Sequence, residues 1–282
     1  MGIVFCNGQF VSKSNVTVPF NDRGFLFGDG VFTTLRVCNG TVECLGRHLQ
    51  RLRDHCRYLN IECPTIDPGW IEELIQRNQA FRDVWRMKII ITGGDSPDLD
   101  LGVRKHGQLI ISLNPYDSDL PTPCALTTFP SPVMGPMAHV KSLSYLERLW
   151  IKDYAVKKKF HDAVTTTAEG VFLEAAFSNI FWRKGDDIFT PGRDLPLLFG
   201  ISLTVVKEAA LALGMKVHEV HATLDDVPQG SQFYLCNAMV GFHPVESIGG
   251  VVFCRDEEWE ERLRGAYGAV VARDKLTTDA HR

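Results

Sequence analysis

The sequence predicts an α+β protein with two domains. Strand-like runs of β-branched and aromatic residues outnumber the segments that show the 3.6-residue helical period. The 282 residues suffice for one large or two moderate domains. Residues 114–124, NPYDSDLPTPC, contain three prolines and indicate a linker. We therefore expect a small N-terminal domain over 1–113 and a larger C-terminal domain over 125–282.

The N-terminal domain is predicted to begin with hairpins. The pairs Asn7-Gly8 and Asn39-Gly40 each separate two apolar runs, and Asn-Gly suits the positive φ angles of a type I′ turn. Apolar residues at helical spacing predict a helix over 45–59, and a second helix is expected over about 70–81. Two further strands are predicted over 85–92 and 108–113.

The C-terminal domain is predicted to combine short strands with three helices. A helix is expected over about 144–160, followed by strands separated by turns up to Thr190. The segment 200–214 begins with Gly and Ser and ends at Gly214, which indicates a helix whose N-terminus could bind an anion. The tail 256–282 has the pattern of a charged amphipathic helix.

Composition argues against several classes of protein. The net charge is −4, with 30 basic and 34 acidic residues mixed along the chain, so nucleic-acid or anionic-membrane binding is not expected. No apolar run approaches the roughly 18 residues that suggest a membrane span. The eight cysteines form no CxxC pair and show no metal-type spacing, which predicts reduced thiols and no metal site. We expect a cytoplasmic protein that acts on a small molecule.

Glu174 is the most unusual residue of the C-terminal domain. It lies in the strand-like run VFLEAAF, and a buried carboxylate is costly unless a cation or a strong donor meets it. One candidate partner is a structural arginine or backbone amides. The other is the protonated ring nitrogen of a bound cofactor.

The order and spacing of residues after Glu174 are more specific. The chain resembles the class IV aminotransferase-like enzymes of fold type IV, which use pyridoxal phosphate (PLP), and among them most resembles the aminodeoxychorismate lyases. The resemblance covers about residues 3–247 and includes DRGFLFGDGVF, HLQRL and VKSLSYLE. Leu203 and Ser144 depart from the family pattern, which has a basic residue and usually Asn there. The matching positions are Glu174, Ala176, Asn179, Ile180, Phe181, Ile188, Thr190, Leu198, Gly200 and Ile201.

The resemblance implies a fold and a set of site residues. It implies a small N-terminal α/β sandwich, a larger β-barrel-like C-terminal domain with helices, and a homodimer. Lys141 would join PLP and move the substrate proton, Thr33 would assist, and Glu174 would face the ring nitrogen. The remaining residues implied in cofactor binding are Arg51, Ile201, Ser202, Asn237 and Ala238 toward the phosphate end, and Leu198 against the ring.

The resemblance also implies a reaction, with alternatives left open. Phe32 stands where D-amino-acid aminotransferases carry a carboxylate-binding Tyr, and CNAMVGFHPV is similar to a motif of the lyases. These features favour an aminodeoxychorismate lyase of folate biosynthesis. The loop 93–104 lacks the carboxylate-binding elements of both groups, and Arg36, Arg104 or a partner-subunit residue are the candidates to replace them. An aminotransferase for D- or branched-chain amino acids, or a non-catalytic PLP-binding protein, are the alternatives.

Overall fold

The computed structural model describes residues 2–117, 120–133 and 135–279, and the chain divides into two compact units. The first unit contains residues up to Asp117 together with Val140–Tyr145, and the second contains the remainder up to His139 and Leu146–Thr277. Val140–Tyr145, a segment of the predicted C-terminal domain, thus groups with the first unit. Ser142 forms an isolated β-bridge with Val31, and the Leu143 amide donates to the Gly30 carbonyl at 2.9 Å.

The first unit is a six-stranded antiparallel sheet with α2 and α3 packed on one face. The strand order is β2-β1-β6-β5-β3-β4. Along β5 the alternate residues Met87, Ile89 and Ile91 are buried in the core against the helices, while Lys88 and Ile90 lie on the other face. The elements are β1 (Ile3–Cys6), β2 (Gln9–Ser12), α1 (Arg23–Phe27), β3 (Gly30–Cys38), β4 (Thr41–Val42), α2 (Leu45–Tyr58), α3 (Pro68–Arg77), β5 (Val84–Thr92) and β6 (Leu109–Pro115).

The turn chemistry of this unit follows the sequence in most places. Both predicted hairpins are present, with positive φ at each Asn-Gly pair. Helix α3 begins after Asp67, whose side chain caps the Gly69 amide, and ends earlier than predicted because Gln79 adopts a φ of 55°. The five-residue helix α1 lies in the segment DRGFLFGDG, for which no helix was predicted. Its cap is Asp22, which accepts from the Phe25 amide at 3.1 Å.

The second unit is a nine-stranded mixed sheet that carries α4 and α5. The strand order is β12-β11-β10-β13-β14-β7-β8-β9, and β15 pairs with β14. Strand β9, at one end of this order, also packs against β10 and β11, so the sheet curls back on itself. The elements are β7 (Cys124–Thr128), α4 (Leu146–Lys157), β8 (Asp162–Thr166), β9 (Phe172–Ala175), β10 (Asn179–Lys184), β11 (Asp187–Pro191), α5 (Ile201–Ala212), β12 (Lys216–Val220), β13 (Gln232–Asn237), β14 (Gly241–Ile248), β15 (Val251–Val252) and α6 (Glu257–Asp279).

These observations confirm the predicted α+β class with a barrel-like second unit. The helix predicted over 144–160 is α4, which is shorter because Lys159 adopts a φ of 65°. Within the part of the chain that the structure describes, none of the helices combines the length and the apolar character needed to cross a membrane.

Candidate active site

Lys141 lies in the Val140–Tyr145 segment of the first unit, held at its backbone from two sides. Its amide donates to His55 Nδ1 at 3.1 Å, and its carbonyl accepts from the Phe32 amide at 2.9 Å. Its Nζ lies 3.4 Å from the Tyr145 hydroxyl and 4.7 Å from the centroid of the Phe32 ring. The side-chain amine is therefore placed between two aromatic residues by a fixed main chain.

A buried hydrogen-bonded group connects β3 with α2 beside this lysine. Arg51 Nη2 donates to Thr33 Oγ1 at 3.1 Å, and the same oxygen lies 2.7 Å from His48 Nδ1. Because a guanidinium can only donate, the Thr33 hydroxyl proton is free to point to His48, which then accepts as a neutral imidazole. Thr33 thus binds both residues at once.

The electrostatics of α2 agree with this arrangement. Residues 48, 51 and 55 share one face of the helix because they are spaced at i, i+3 and i+7. Burial, assisted by the charges of Arg51 and Lys141, holds the pKa of His48 well below its usual range. Burial and then the Arg51 charge lower the pKa of His55 to about 4. Burial also lowers the pKa of Arg51 to about 10, so this guanidinium is charged at neutral pH.

Phe32 lies on the opposite face of the sheet from α2, beside a second lysine. Lys88 Nζ is 4.3 Å from the centroid of the Phe32 ring. Strand pairing sets this contact, since Phe32 is opposite Ile90 and Lys88 is opposite Thr34. Burial, followed by the charge of Arg86, lowers the pKa of Lys88. Two ammonium groups therefore approach one aromatic ring.

The loop 93–104 is anchored by two buried arginines that meet at Asp29. Arg104 Nε lies 3.0 Å from Asp29 Oδ2, and its Nη1 donates to the carbonyls of Leu59 and Asn60. Arg23 Nε lies 2.6 Å from the same carboxylate. Arg104 and Arg36 were the two arginines named from the sequence as candidates to bind a substrate carboxylate. Arg104 instead bonds to Asp29 and to these main-chain oxygens, and Arg36 forms an ion pair with Glu43 at 3.2 Å.

The Arg23 side chain also fixes the middle of this loop. It donates to the carbonyl oxygens of Asp98 at 2.5 Å and Asp100 at 3.0 Å. The Arg23 amide donates to the Gly94 carbonyl at 2.6 Å. Every one of these acceptors is a main-chain oxygen, so these three hydrogen bonds do not involve the side chains of the loop.

In the second unit, Glu174 is buried in β9 with a cation and two further donors. Its Oε1 forms an ion pair with Arg148 Nη2 of α4 and accepts from the Leu198 amide at 3.1 Å. Its Oε2 accepts from Asn179 Nδ2 at 3.4 Å. Of the two partners left open by the sequence, the structure shows an arginine and a backbone amide.

The N-terminus of α5 lies next to this carboxylate through Asn179. Asn179 Nδ2 donates to the Leu198 carbonyl at 2.7 Å, and its Oδ1 occupies the space beside Gly200. A Cβ at Gly200 would lie 1.8 Å from that oxygen, so glycine is required. Gly200 is the N-cap of α5 and has no side-chain cap, and Ser202 in the first turn is buried.

Asn237 ends β13 and shapes the turn that contains Ala238. Its Oδ1 accepts from the amides of Met239 and Val240 at 2.9 and 3.2 Å, while its Nδ2 donates to Ser178 Oγ at 2.9 Å. The side chain of Asn237 thus supports the β13–β14 turn, and the predicted contact with a phosphate stays a prediction for the main chain of Ala238.

The structure therefore groups the predicted site residues in two sets. Lys141, Thr33 and Arg51 come together in the first unit, and Glu174 and Leu198 are bonded in the second. Sequence reasoning missed several neighbours. The shared face of α2 could have indicated the two histidines, whereas no local pattern marks the rest. These missed residues are His48, His55, Lys88, Tyr145 and Arg148.

The chain belongs to the class IV aminotransferase family. The model of that family, described as Amino-transferase class IV, matches residues 30–248. A Methanocaldococcus jannaschii protein provisionally named branched-chain-amino-acid aminotransferase is 29% identical over 88% of both chains. Aminodeoxychorismate lyase of Bacillus subtilis is 24% identical, covering 87% of this chain and 86% of the relative. D-alanine aminotransferase of Staphylococcus aureus strain N315 is 26% identical, covering 88% and 89%.

Solved structures share the fold. A hypothetical aminotransferase of Mycobacterium tuberculosis in its PLP-bound form superimposes with a TM-score of 0.84 at 20% identity, covering 97% of this chain and all of that one. The likeness confirms the predicted fold of this chain.

Proposed function

We propose that this protein is a PLP-dependent 4-amino-4-deoxychorismate lyase that forms 4-aminobenzoate and pyruvate for folate synthesis. The observation that carries this proposal is the Phe32 ring, with the Lys88 ammonium 4.3 Å from its centroid and Lys141, the residue proposed to join PLP, 4.7 Å from it. The substrate is an unsaturated ring with two carboxylates. An aromatic surface with an adjacent cation suits both features, since the ring packs against a flat substrate and the Lys88 ammonium attracts a carboxylate.

The chemistry of the donor residues fits PLP. Lys141 would supply the amine that joins the cofactor, and the charged, buried Arg51 would bind its phosphate. In the second unit, the start of α5 lacks a side-chain cap, and its amides and Ser202 would also bind phosphate. Glu174 would accept from the ring nitrogen, with Leu198 next to it.

Three residues of the proposed site then have defined roles in the reaction. Bound PLP would supply an electron-withdrawing ring that makes the C–H bond beside the substrate nitrogen acidic. Lys141 Nζ would take that proton, and the substrate ring would become aromatic as the C–O bond to the enolpyruvyl group breaks. The Lys141 ammonium formed in this way would return the proton to the enolpyruvate, which becomes pyruvate. Tyr145 orients Nζ, and Thr33 acts indirectly because its hydroxyl holds Arg51.

Transamination of a D- or branched-chain amino acid with 2-oxoglutarate is the second candidate. The relatives favour it, since the Methanocaldococcus and Staphylococcus proteins bear aminotransferase names at 29% and 26% identity. PLP binding without catalysis is a third, more remote alternative.

A paired assay separates these functions. Purified protein is mixed with aminodeoxychorismate while the fluorescence of 4-aminobenzoate is recorded, and in parallel with 2-oxoglutarate plus D-alanine or a branched-chain amino acid. We expect the aromatic product, and Lys141→Ala should abolish it. Glutamate formation without aromatic product would refute the lyase, and PLP binding with neither product would favour the non-catalytic alternative.

We also propose a cytoplasmic homodimer. The short helix α1 exposes Phe25 and Phe27 by 66% and 55%, and the loop held by Arg23 exposes Leu99 by 84%. Exposed apolar surface of this kind marks interfaces. The eight cysteines are all free thiols, which suits a reducing compartment. Sedimentation equilibrium tests the dimer, and Phe25→Ser together with Leu99→Ser should weaken it.

A further inference from the structure

Glu174 already has a positive partner within its own unit. Arg148 reaches it from α4 with a side chain that is 15% exposed, while the Glu174 side chain is 5% exposed. Arg148 Nη1 also donates to the carbonyl of Ala175 at 3.4 Å, so the guanidinium spans the end of β9. The pair is shielded from water. In such an environment of low dielectric constant, the attraction between opposite charges is stronger than in water.

We propose that Arg148 is a positioning residue that controls how strongly Glu174 binds the ring nitrogen of PLP. This inference rests on the cofactor assigned in the proposed function. Arg148 and a protonated ring nitrogen are two cations that share one carboxylate, and they repel each other. The guanidinium therefore weakens the preference of Glu174 for the protonated nitrogen.

The same contact has a second consequence, for the protein without cofactor. With Arg148 in place, Glu174 is charge-balanced before PLP arrives, and the Leu198 amide keeps Oε1 oriented. Without Arg148, the carboxylate depends on the cofactor to balance its charge. Removal of the arginine should then make the contact between Glu174 and the ring nitrogen contribute more to the affinity for PLP.

Two cofactor probes isolate the contribution of the ring nitrogen to the affinity. PLP and its 1-deaza analogue, in which carbon replaces the ring nitrogen, differ only at the atom that Glu174 would meet. The dissociation constant of each is measured by equilibrium dialysis against cofactor-free wild type, R148Q, R148K and R193Q. The R193Q control removes a solvent-exposed arginine that pairs with Glu219 in the same unit.

The measured quantity is the ratio of the deaza constant to the PLP constant. We expect the ratio to rise about tenfold in R148Q, a change of about 1.4 kcal/mol in preference. R148K keeps the positive charge that repels the ring nitrogen, and R193Q leaves the site intact, so both ratios should stay within about twofold of wild type. A merely structural role for Arg148 would weaken both probes equally and leave the ratio unchanged.

The outcomes distinguish this inference from the function beneath it. An unchanged ratio in R148Q, with PLP still bound by wild type, overturns the role of Arg148 alone. A wild-type ratio near one overturns the contact of Glu174 with the ring nitrogen as well. Failure of wild type to bind PLP overturns the proposed function.

A titratable variant covers the case in which R148Q does not fold. In R148H the imidazole carries a charge at low pH and loses it as the pH rises. The ratio, divided by that of wild type at each pH, should increase between pH 6 and 9. A constant value would overturn the inference.

Discussion

Thr33 offers the sharpest test of how the first unit positions its arginine. Its side chain is fully buried, and its hydroxyl joins Arg51 to His48. Thr33→Val keeps the shape and removes both hydrogen bonds. Each of the two buried groups that loses this hydrogen bond costs about 1–3 kcal/mol, so the free energy of unfolding should fall by about 2–6 kcal/mol.

The assay is urea unfolding of the cofactor-free protein, with Thr34→Val as the matched control. Thr34 neighbours Thr33 on β3, is half-buried and faces the other side of the sheet. We expect that control to change the free energy of unfolding by less than about 0.5 kcal/mol. Thr33→Val should also weaken PLP binding, because Arg51 loses its support. Equal stability of the two variants would refute the reasoning about Thr33.

Three further predictions concern pH, substrate binding and backbone space. The pKa of His55 is lowered from its usual value to about 4, so the unfolded chain takes up protons first; stability should fall as pH drops from about 6.5 toward 4, and His55→Asn should reduce that slope in acid unfolding curves. Lys88→Gln should raise KM for aminodeoxychorismate about tenfold with a smaller effect on kcat, whereas Lys157→Gln on an exposed helix end should change neither in the fluorescence assay. Gly200→Ala forces a Cβ to within 1.8 Å of an asparagine oxygen and should lower the melting temperature by several degrees, while Gly268→Ala, in open space on α6, should raise it slightly in calorimetry.

The sequence predicted those features that depend on neighbouring residues. The Asn39-Gly40 hairpin needs only positive φ angles at adjacent positions, and the helix of Arg51 needs only a periodic apolar stripe. The fold class and the family were also accessible, because ordered motifs over most of the chain carry them.

Partners that come from distant parts of the chain could not be predicted in this way. Arg148 is 26 residues from Glu174, and Lys88 meets Phe32 only through the pairing of β3 with β5. No local pattern in the sequence indicated that Val140–Tyr145 groups with the first unit while the residues on either side of it belong to the second. The segment is bonded to residues more than eighty positions away, among them Val31 through the bridge to Ser142 and His55 through the Lys141 amide.

The manner in which Arg23 holds the loop 93–104 has a practical consequence for engineering. The Arg23 guanidinium donates to the carbonyl oxygens of Asp98 and Asp100, so these hydrogen bonds do not depend on the side chains at those two positions. The two positions differ in one respect, because the Asp100 side chain also accepts from the Gly102 amide at 2.7 Å. Libraries that randomise Asp98 while retaining Arg23, Asp29 and Asp100 would therefore change the charge of the loop and preserve its path.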